Sequence, residues 1–255
     1  MEVHHHPHVE KKSFKEYLLE GLMIFLAVSM GFFAESFRES LINSEKEHHL
    51  MEMMVGDLKQ DTSQITKAIR TYLNRVNQFD TLRTYVIKST KGNLTSDEYR
   101  KMYYIHRGFG GVGNQYFSVE RALVMIEKEG FGLIRKQNIT DSILNHREWK
   151  IRVEEQKDLI LKVQDIANTF SIQIFDIELM NDYVDIFKAK EILKSTSNFK
   201  LLTNNPSLLK TYAYSLFRQR SAMYNLTIFL NSKKASAERL IELIQNPNVS
   251  YLYLI

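Results

Sequence analysis

MEMMVGDLKQDTSQITKAIRTYLNRVNQFDTLRTYV, residues 51–86, places an apolar side chain at every seventh position: Met51, Leu58, Ile65, Tyr72, Phe79 and Val86. Seven residues make two turns of an α-helix, so these side chains line one stripe. Val55, Ile69 and Val76 stand at companion positions beside it. A stripe this wide needs a covering surface, which predicts one long helix, ending near residue 90, inside a helical bundle.

Downstream, the chain supplies the covering surfaces. Lys91-Gly92-Asn93-Leu94-Thr95 ends the first helix, and Ser96-Asp97-Glu98 opens a second with a polar start. That second helix is expected to break at Gly108–Gly113, resume at Ser118 and stop at Gly130. A third is expected from Asn138 or Thr140 to about Lys188. Its seam reads Val153, Ile160, Val163, Ala167, Phe170, Ile174, Ile177, Asn181 and Val184, with Asn181 as a register-fixing polar residue. Polar residues 194–205 form a loop. Pro206 then starts a fourth helix, lined by Leu209, Tyr212, Leu216, Met223, Leu226, Leu230, Ala237, Leu240 and Ile244. The expected fold is all-α, an antiparallel bundle of four-helix type.

Composition agrees. The 255 residues hold three prolines and ten glycines, and every glycine lies between Gly21 and Gly132, too few turn residues for a β-sandwich, barrel or α/β fold. There is no cysteine, hence no disulfide, thiol nucleophile or thiolate-bound zinc. A net charge of +4 from 34 basic and 30 acidic residues is too balanced for a nucleic-acid footprint, so no nucleic-acid partner is expected.

Upstream of the heptads, GLMIFLAVSMGFFA (21–34) carries no charge, and with its flanks residues 17–37 span about 31 Å as a helix, enough for a hydrocarbon core of about 30 Å. The expected organisation is a His/Lys-rich tail (1–16), a transmembrane helix (17–37), the bundle (38–246) and an apolar tail (247–255) whose Tyr251 and Tyr253 suit a membrane interface. A cleaved signal peptide is the competing reading, opposed by the long preceding segment and by Glu20. Lys11, Lys12 and Lys15 before the helix against Arg38 and Lys46 after it favour a cytoplasmic N-terminus with the bundle outside.

Small and acidic residues share one face of this segment: Glu20, Ile24, Ala27, Gly31 and Ala34. Ala27-x-x-x-Gly31 permits close helix contact, and an intramembrane carboxylate prefers protein or water to lipid. The expectation is a homo-oligomer in the lipid bilayer. A pore lined by that stripe is the alternative, and so is snorkelling of Glu20 to the interface.

EYLLEGLMIFLAVSMGFFAESFRE (16–39), after a His-rich start and before Asp57-Leu-Lys-Gln-Asp61, resembles uncharacterised single-pass membrane proteins of Bacteroidota. Residues 122–144 resemble the same family's helix, Ser-Gly, Leu-x-x-Ile, helix segment, with Glu129 in place of the serine and an unusual Gly132. The resemblance implies a bacterial inner-membrane protein with a helical extramembrane domain, and supplies no catalytic residues.

Three motifs carry residues of chemical interest. Gly108-Phe109-Gly110-Gly111-Val112-Gly113 fits G-x-G-x-x-G, yet no βαβ unit surrounds it, so it reads as a helix-breaking hinge or contact loop rather than a dinucleotide site. Glu45-x-x-His48 is one copy of a di-iron motif that needs two, and reads as solvated charge. His4, His5, His6 and His8 are weak metal candidates, equally suited to anionic lipid when protonated. No cofactor is called for. The sequence therefore points to a non-enzymatic, membrane-anchored structural or interaction protein with an oligomeric or other membrane-protein partner. The pore is the first alternative. The second is a sensor-like extracytoplasmic bundle that would signal through a partner's transmembrane helix.

Overall fold

The computed structural model describes residues 13–108, 116–181 and 189–246. Two compact units divide the chain at Met51 and Glu52. Helix α1 (Phe14–Ser89) passes through both without interruption. The other helices belong to the second unit: α2 (Ser96–Arg107), α3 (Arg121–Glu129), α4 (Gln137–Ser171), α5 (Glu178–Asn181) and α6 (Pro206–Gln245). Among the described residues no strand forms, only an isolated antiparallel bridge between Phe175 and Leu201.

In the first unit, α1 contains a stretch long and apolar enough to cross a membrane, and none of it is buried. Phe25, Phe32 and Phe33 are exposed to 66%, 74% and 75%.

The second unit is an up-down-up-down bundle. Its first leg is α1 from Glu52, and its second is α2 and α3, which return along α1. Lys88 Nζ donates to Glu98 at the start of α2, whereas Arg121 at the start of α3 reaches Asp57. α6 runs antiparallel to α1, because Asp80 meets Arg220 and Asp61 meets Lys233. It is antiparallel to α4 also, with Gln156 bonded to the Ala222 carbonyl and Asn145 to Ser236.

All six heptad positions from Met51 to Val86 are buried. Met54, Ala68 and Leu82, three residues further along, are the second buried row together with Asp61. The expected companions Val55 and Ile69 are only half-buried, and Val76 alone of the three is core. Helix ends follow their sequence signals. Gly92 turns the chain after α1 at φ +71°, and Gly130 does so after α3 at φ +96°. Thr95 and Glu98 cap α2 reciprocally, while Asn205 Oδ1 accepts the Ser207 and Leu208 N–H groups ahead of Pro206.

Two boundaries differ from expectation. The second leg resumes as a helix at Arg121 rather than Ser118, because the Val119 N–H is held by Asp61 and the Ala122 N–H by Asp57 on α1. The third helix ends at Ser171, not near Lys188. There the Phe175 N–H turns back to the Ser171 carbonyl and the Leu202 N–H bonds the Ile174 carbonyl. Phe175 thereby stacks on His106 (centroids 3.8 Å apart, planes within 8°) and packs edge-on against Tyr103 and Tyr212. Ile174 stays buried, but Ile177 is exposed and Asn181 falls in the short α5 rather than on the α4 seam. Val184 and the 247–255 tail lie outside the described residues.

Phe79 is 2% exposed in the core and Phe117 is 64% exposed. Phe79→Ala is expected to lower stability by about 3–5 kcal/mol and Phe117→Ala by about 0.5 kcal/mol or less, read from chemical denaturation by circular dichroism. Equal losses would contradict this core assignment.

Candidate functional site

Two aspartates on α1 carry the site. Asp57 and Asp61 are one turn apart and each is 1% exposed. Asp61 faces inward because it occupies the second buried row, seven residues from both Met54 and Ala68, and Asp57 flanks the stripe beside Leu58.

Asp57 caps α3 from outside that helix. Its Oδ1 accepts from Arg121 Nε and Nη2 at 2.9 and 2.6 Å, and its Oδ2 accepts the Ala122 N–H at 2.8 Å. Glu120, at the N-cap position, makes no capping hydrogen bond with its side chain, so the negative charge at this helix N-terminus comes from the neighbouring leg.

Asp61 holds the segment before α3 and the last helix. Its Oδ1 accepts from Tyr116 Oη at 2.8 Å and from the Val119 N–H at 3.2 Å. Lys233 Nζ, on α6, lies 3.1 Å from Oδ2 as an ion pair outside hydrogen-bonding angles. Lys233 spends its donors instead on Tyr116 Oη at 2.6 Å and on Ser118 Oγ. Burial pushes the Lys233 ammonium down and the Asp61 charge opposes this. Burial and the Asp61 charge both push the Tyr116 phenol up, so it stays protonated, donating to Asp61 while accepting from Lys233.

A second lysine stands by the same ring. Lys157 Nζ on α4 donates to the Tyr116 carbonyl at 2.7 Å and to Glu154 at 2.8 Å, 5.1 Å from the ring centre. Lys233 is also 5.1 Å from that centre. Around it Lys150 donates to Glu120 at 2.6 Å. Asp57, Asp61, Glu120 and Glu154 thus meet Arg121, Lys150, Lys157 and Lys233, four charges against four.

Beside the cluster a cavity of about 10 Å³ is lined by Asp57, Glu120, His146, Lys150 and Lys233 among apolar residues. It has room for no more than about one water. His146 is 8% exposed and its Nδ1 has no hydrogen-bond partner. Burial, with the Lys233 charge second, holds its imidazole down at about pKa 3. The cluster is chemically suited to joining all four legs. It offers no opening of substrate size.

The residues singled out from sequence lie elsewhere. Glu20, Ile24, Ala27, Gly31 and Ala34 occupy one face of α1 in the first unit, all exposed, and a Cβ on Gly31 would meet nothing within 4 Å. Gly108 ends α2 at φ −68°, an ordinary helical value, and Phe109, Gly110, Gly111 and Gly113 lie outside the described residues, as do His4, His5, His6 and His8. Glu45 and His48 are exposed on α1, and among the described residues no three His, Asp or Glu side chains gather as metal ligands. Reading the sequence for motifs does not reach the buried cluster, although Asp57 and Asp61 bound the Asp57-Leu-Lys-Gln-Asp61 segment of the resemblance. Its signal was present: Asp61 in the phase of the first-helix stripe, and Lys233 between Leu230 and Ala237 in the last.

No family model, curated protein or solved structure matches the chain.

Two measurements test the cluster. Lys233→Ala leaves Asp61 buried without its cation and is expected to cost about 3–5 kcal/mol, whereas Asp61→Asn with Lys233→Met recovers most of that loss. Equal stability of single and double variants would remove the pairing. The unfolded chain protonates His146 below about pH 6.5 and the fold only near pH 3. Its contribution is therefore complete above about pH 6.5 and falls as pH drops toward 3. The urea midpoint of His146→Leu should decline less between pH 7 and 4.5 than that of the unsubstituted chain.

Proposed function

We propose that the chain is a membrane-anchored helical interaction module of the bacterial inner membrane, non-enzymatic and self-associating through its apolar helix. One observation carries the anchoring: an 18-residue apolar window of α1 is wholly unburied. Moving each Leu- or Phe-sized side chain out of water is worth about 1.5–3 kcal/mol, so transfer of this surface into hydrocarbon is strongly favourable. Lipid is the solvent that supplies it. The cytoplasmic N-terminus rests on the lysine bias and the inner-membrane setting on the sequence resemblance. Self-association rests on the Ala27–Gly31 stripe, and the interaction role on a bundle whose buried charges all turn inward.

Anchoring is tested by alkaline extraction of membranes. The full chain is expected in the pellet, and Phe25→Arg with Val28→Arg in the supernatant, each arginine costing about 2.5–3.5 kcal/mol at a helix centre. Pelleting of the double variant at unchanged levels would sink the reading. Mass measurement in detergent is expected to give an oligomer that Ala27→Leu with Gly31→Leu dissociates; a monomeric starting protein would refute self-association. The pore alternative predicts ion flux in liposomes that Glu20→Gln alters.

A sensor acting through a membrane partner is a second reading. It is favoured by one fact: the helix with the apolar segment also carries Asp57 and Asp61.

A further inference from the structure

α1 and α6 lie side by side and antiparallel, and between Arg83 and Ile87 on one and Lys210 to Phe217 on the other they leave an open groove of about 340 Å³. Its apolar lining is exposed to water. Tyr214 is 63% exposed, Phe217 46% and Ile87 39%. Tyr214 and Phe217 stack on each other with centroids 6.4 Å apart.

The groove's charge is one-sided. Arg83 and Lys210 line it with no acidic residue, and among the described residues neither is paired with a carboxylate. Arg83 lies over the Phe217 ring at 5.8 Å, so its guanidinium is held at the apolar surface. The nearest acid along α1, Asp80, is engaged with Arg220.

Beyond the groove, Leu73 on α1 and Tyr224 on α6 are also at least 40% exposed, separated from it on α1 by Asp80, whose carboxylate is paired with Arg220. Leu73 to Ile87 is fourteen residues, about 21 Å of helix. That is the length of four turns, and a two-helix groove accepts a third helix through anchors at i, i+3 or i+4, and i+7.

We propose that the α1–α6 groove is a docking site for an acidic amphipathic helix of a partner protein. The partner's apolar face covers Ile87, Tyr214 and Phe217, and its carboxylates pair with Arg83 and Lys210. Charge complementarity selects this occupant, because the groove supplies two uncompensated cations and the partner must bring the anions. The proposal deepens the interaction-module reading and rests on it only for the expectation of a partner.

The test uses the full chain in zwitterionic-lipid nanodiscs. The probe is a fluorescent synthetic helix of about 18 residues with Leu at i, i+4, i+7 and i+11 and Glu at the flanking positions. Empty nanodiscs give the baseline, and the same peptide with Lys for Glu is the control. Saturable binding of the Glu peptide is expected, at least tenfold tighter than the Lys peptide and weakening with salt. Arg83→Glu with Lys210→Glu should weaken the Glu peptide at least tenfold and reverse the preference. Both side chains are at least partly exposed, so circular dichroism should show the fold unchanged; Phe217→Ala, keeping both cations, should also weaken binding. No saturable binding, equal binding of both peptides, or indifference to charge reversal would overturn the proposal. So would dissociation of the chain's own oligomer by the charge reversal, which would make the occupant a second copy, or equal binding of anionic vesicles. None of these failures touches the alkaline-extraction result, so the groove can fail while the anchor stands.

Discussion

Lys233 and Asp61 face each other at 3.1 Å in an interior where both are 1% exposed. Neither charge could be tolerated there alone, since an isolated buried ion costs several kcal/mol. Each is acceptable because Tyr116 stands between them, donating to one and accepting from the other. The pair joins α1 to α6, Tyr116 adds the approach to α3, and Lys157 adds α4 through the Tyr116 carbonyl. All four legs of the bundle therefore depend on one tyrosine hydroxyl and the peptide next to it. An apolar stripe is satisfied by several axial offsets of one helix against another. A carboxylate that must find a phenol, an amide and an ammonium together is satisfied by one.

The same constraint explains what could be read from residues alone. The heptads from Met51 to Val86 placed α1 correctly because each apolar residue reports its own burial through its spacing. Pro206 and Asn205 likewise announce the start of α6, and Gly92 and Gly130 the ends of α1 and α3, since these signals act within a few residues. The start of α3 was not legible at Arg121. Its N-terminal amides are satisfied by Asp57 and Asp61, about sixty residues earlier, and local sequence carries no trace of a cap supplied by another leg. The end of α4 was hidden for a related reason. Nothing in Ile172-Gln173-Ile174-Phe175-Asp176 breaks a helix, and the break follows from Phe175 finding His106, Tyr103 and Tyr212. Tertiary contact overrides a weak local preference there.

The buried cluster lay between these cases. Asp61 and Lys233 each sit in apolar phase on their own helix, and opposite charges in two facing seams already suggest a pair. What sequence could not supply was the third member. Tyr116 belongs to no helix, and nothing about its neighbours marks it as buried at 1% exposure.

Polar groups in this bundle fall into two arrangements with opposite consequences. Inside, Asp57, Asp61, Lys157 and Lys233 are buried and tie the legs together, and their network reaches the surface through the more exposed Arg121, Glu154, Lys150 and Glu120. Outside, Arg83 and Lys210 border stacked aromatic rings with no anion of their own. The buried charges pair with partners inside the fold, whereas the two groove cations lie beside an apolar floor on the surface. That asymmetry is the physical ground for proposing a docking partner at the α1–α6 face rather than chemistry in the core.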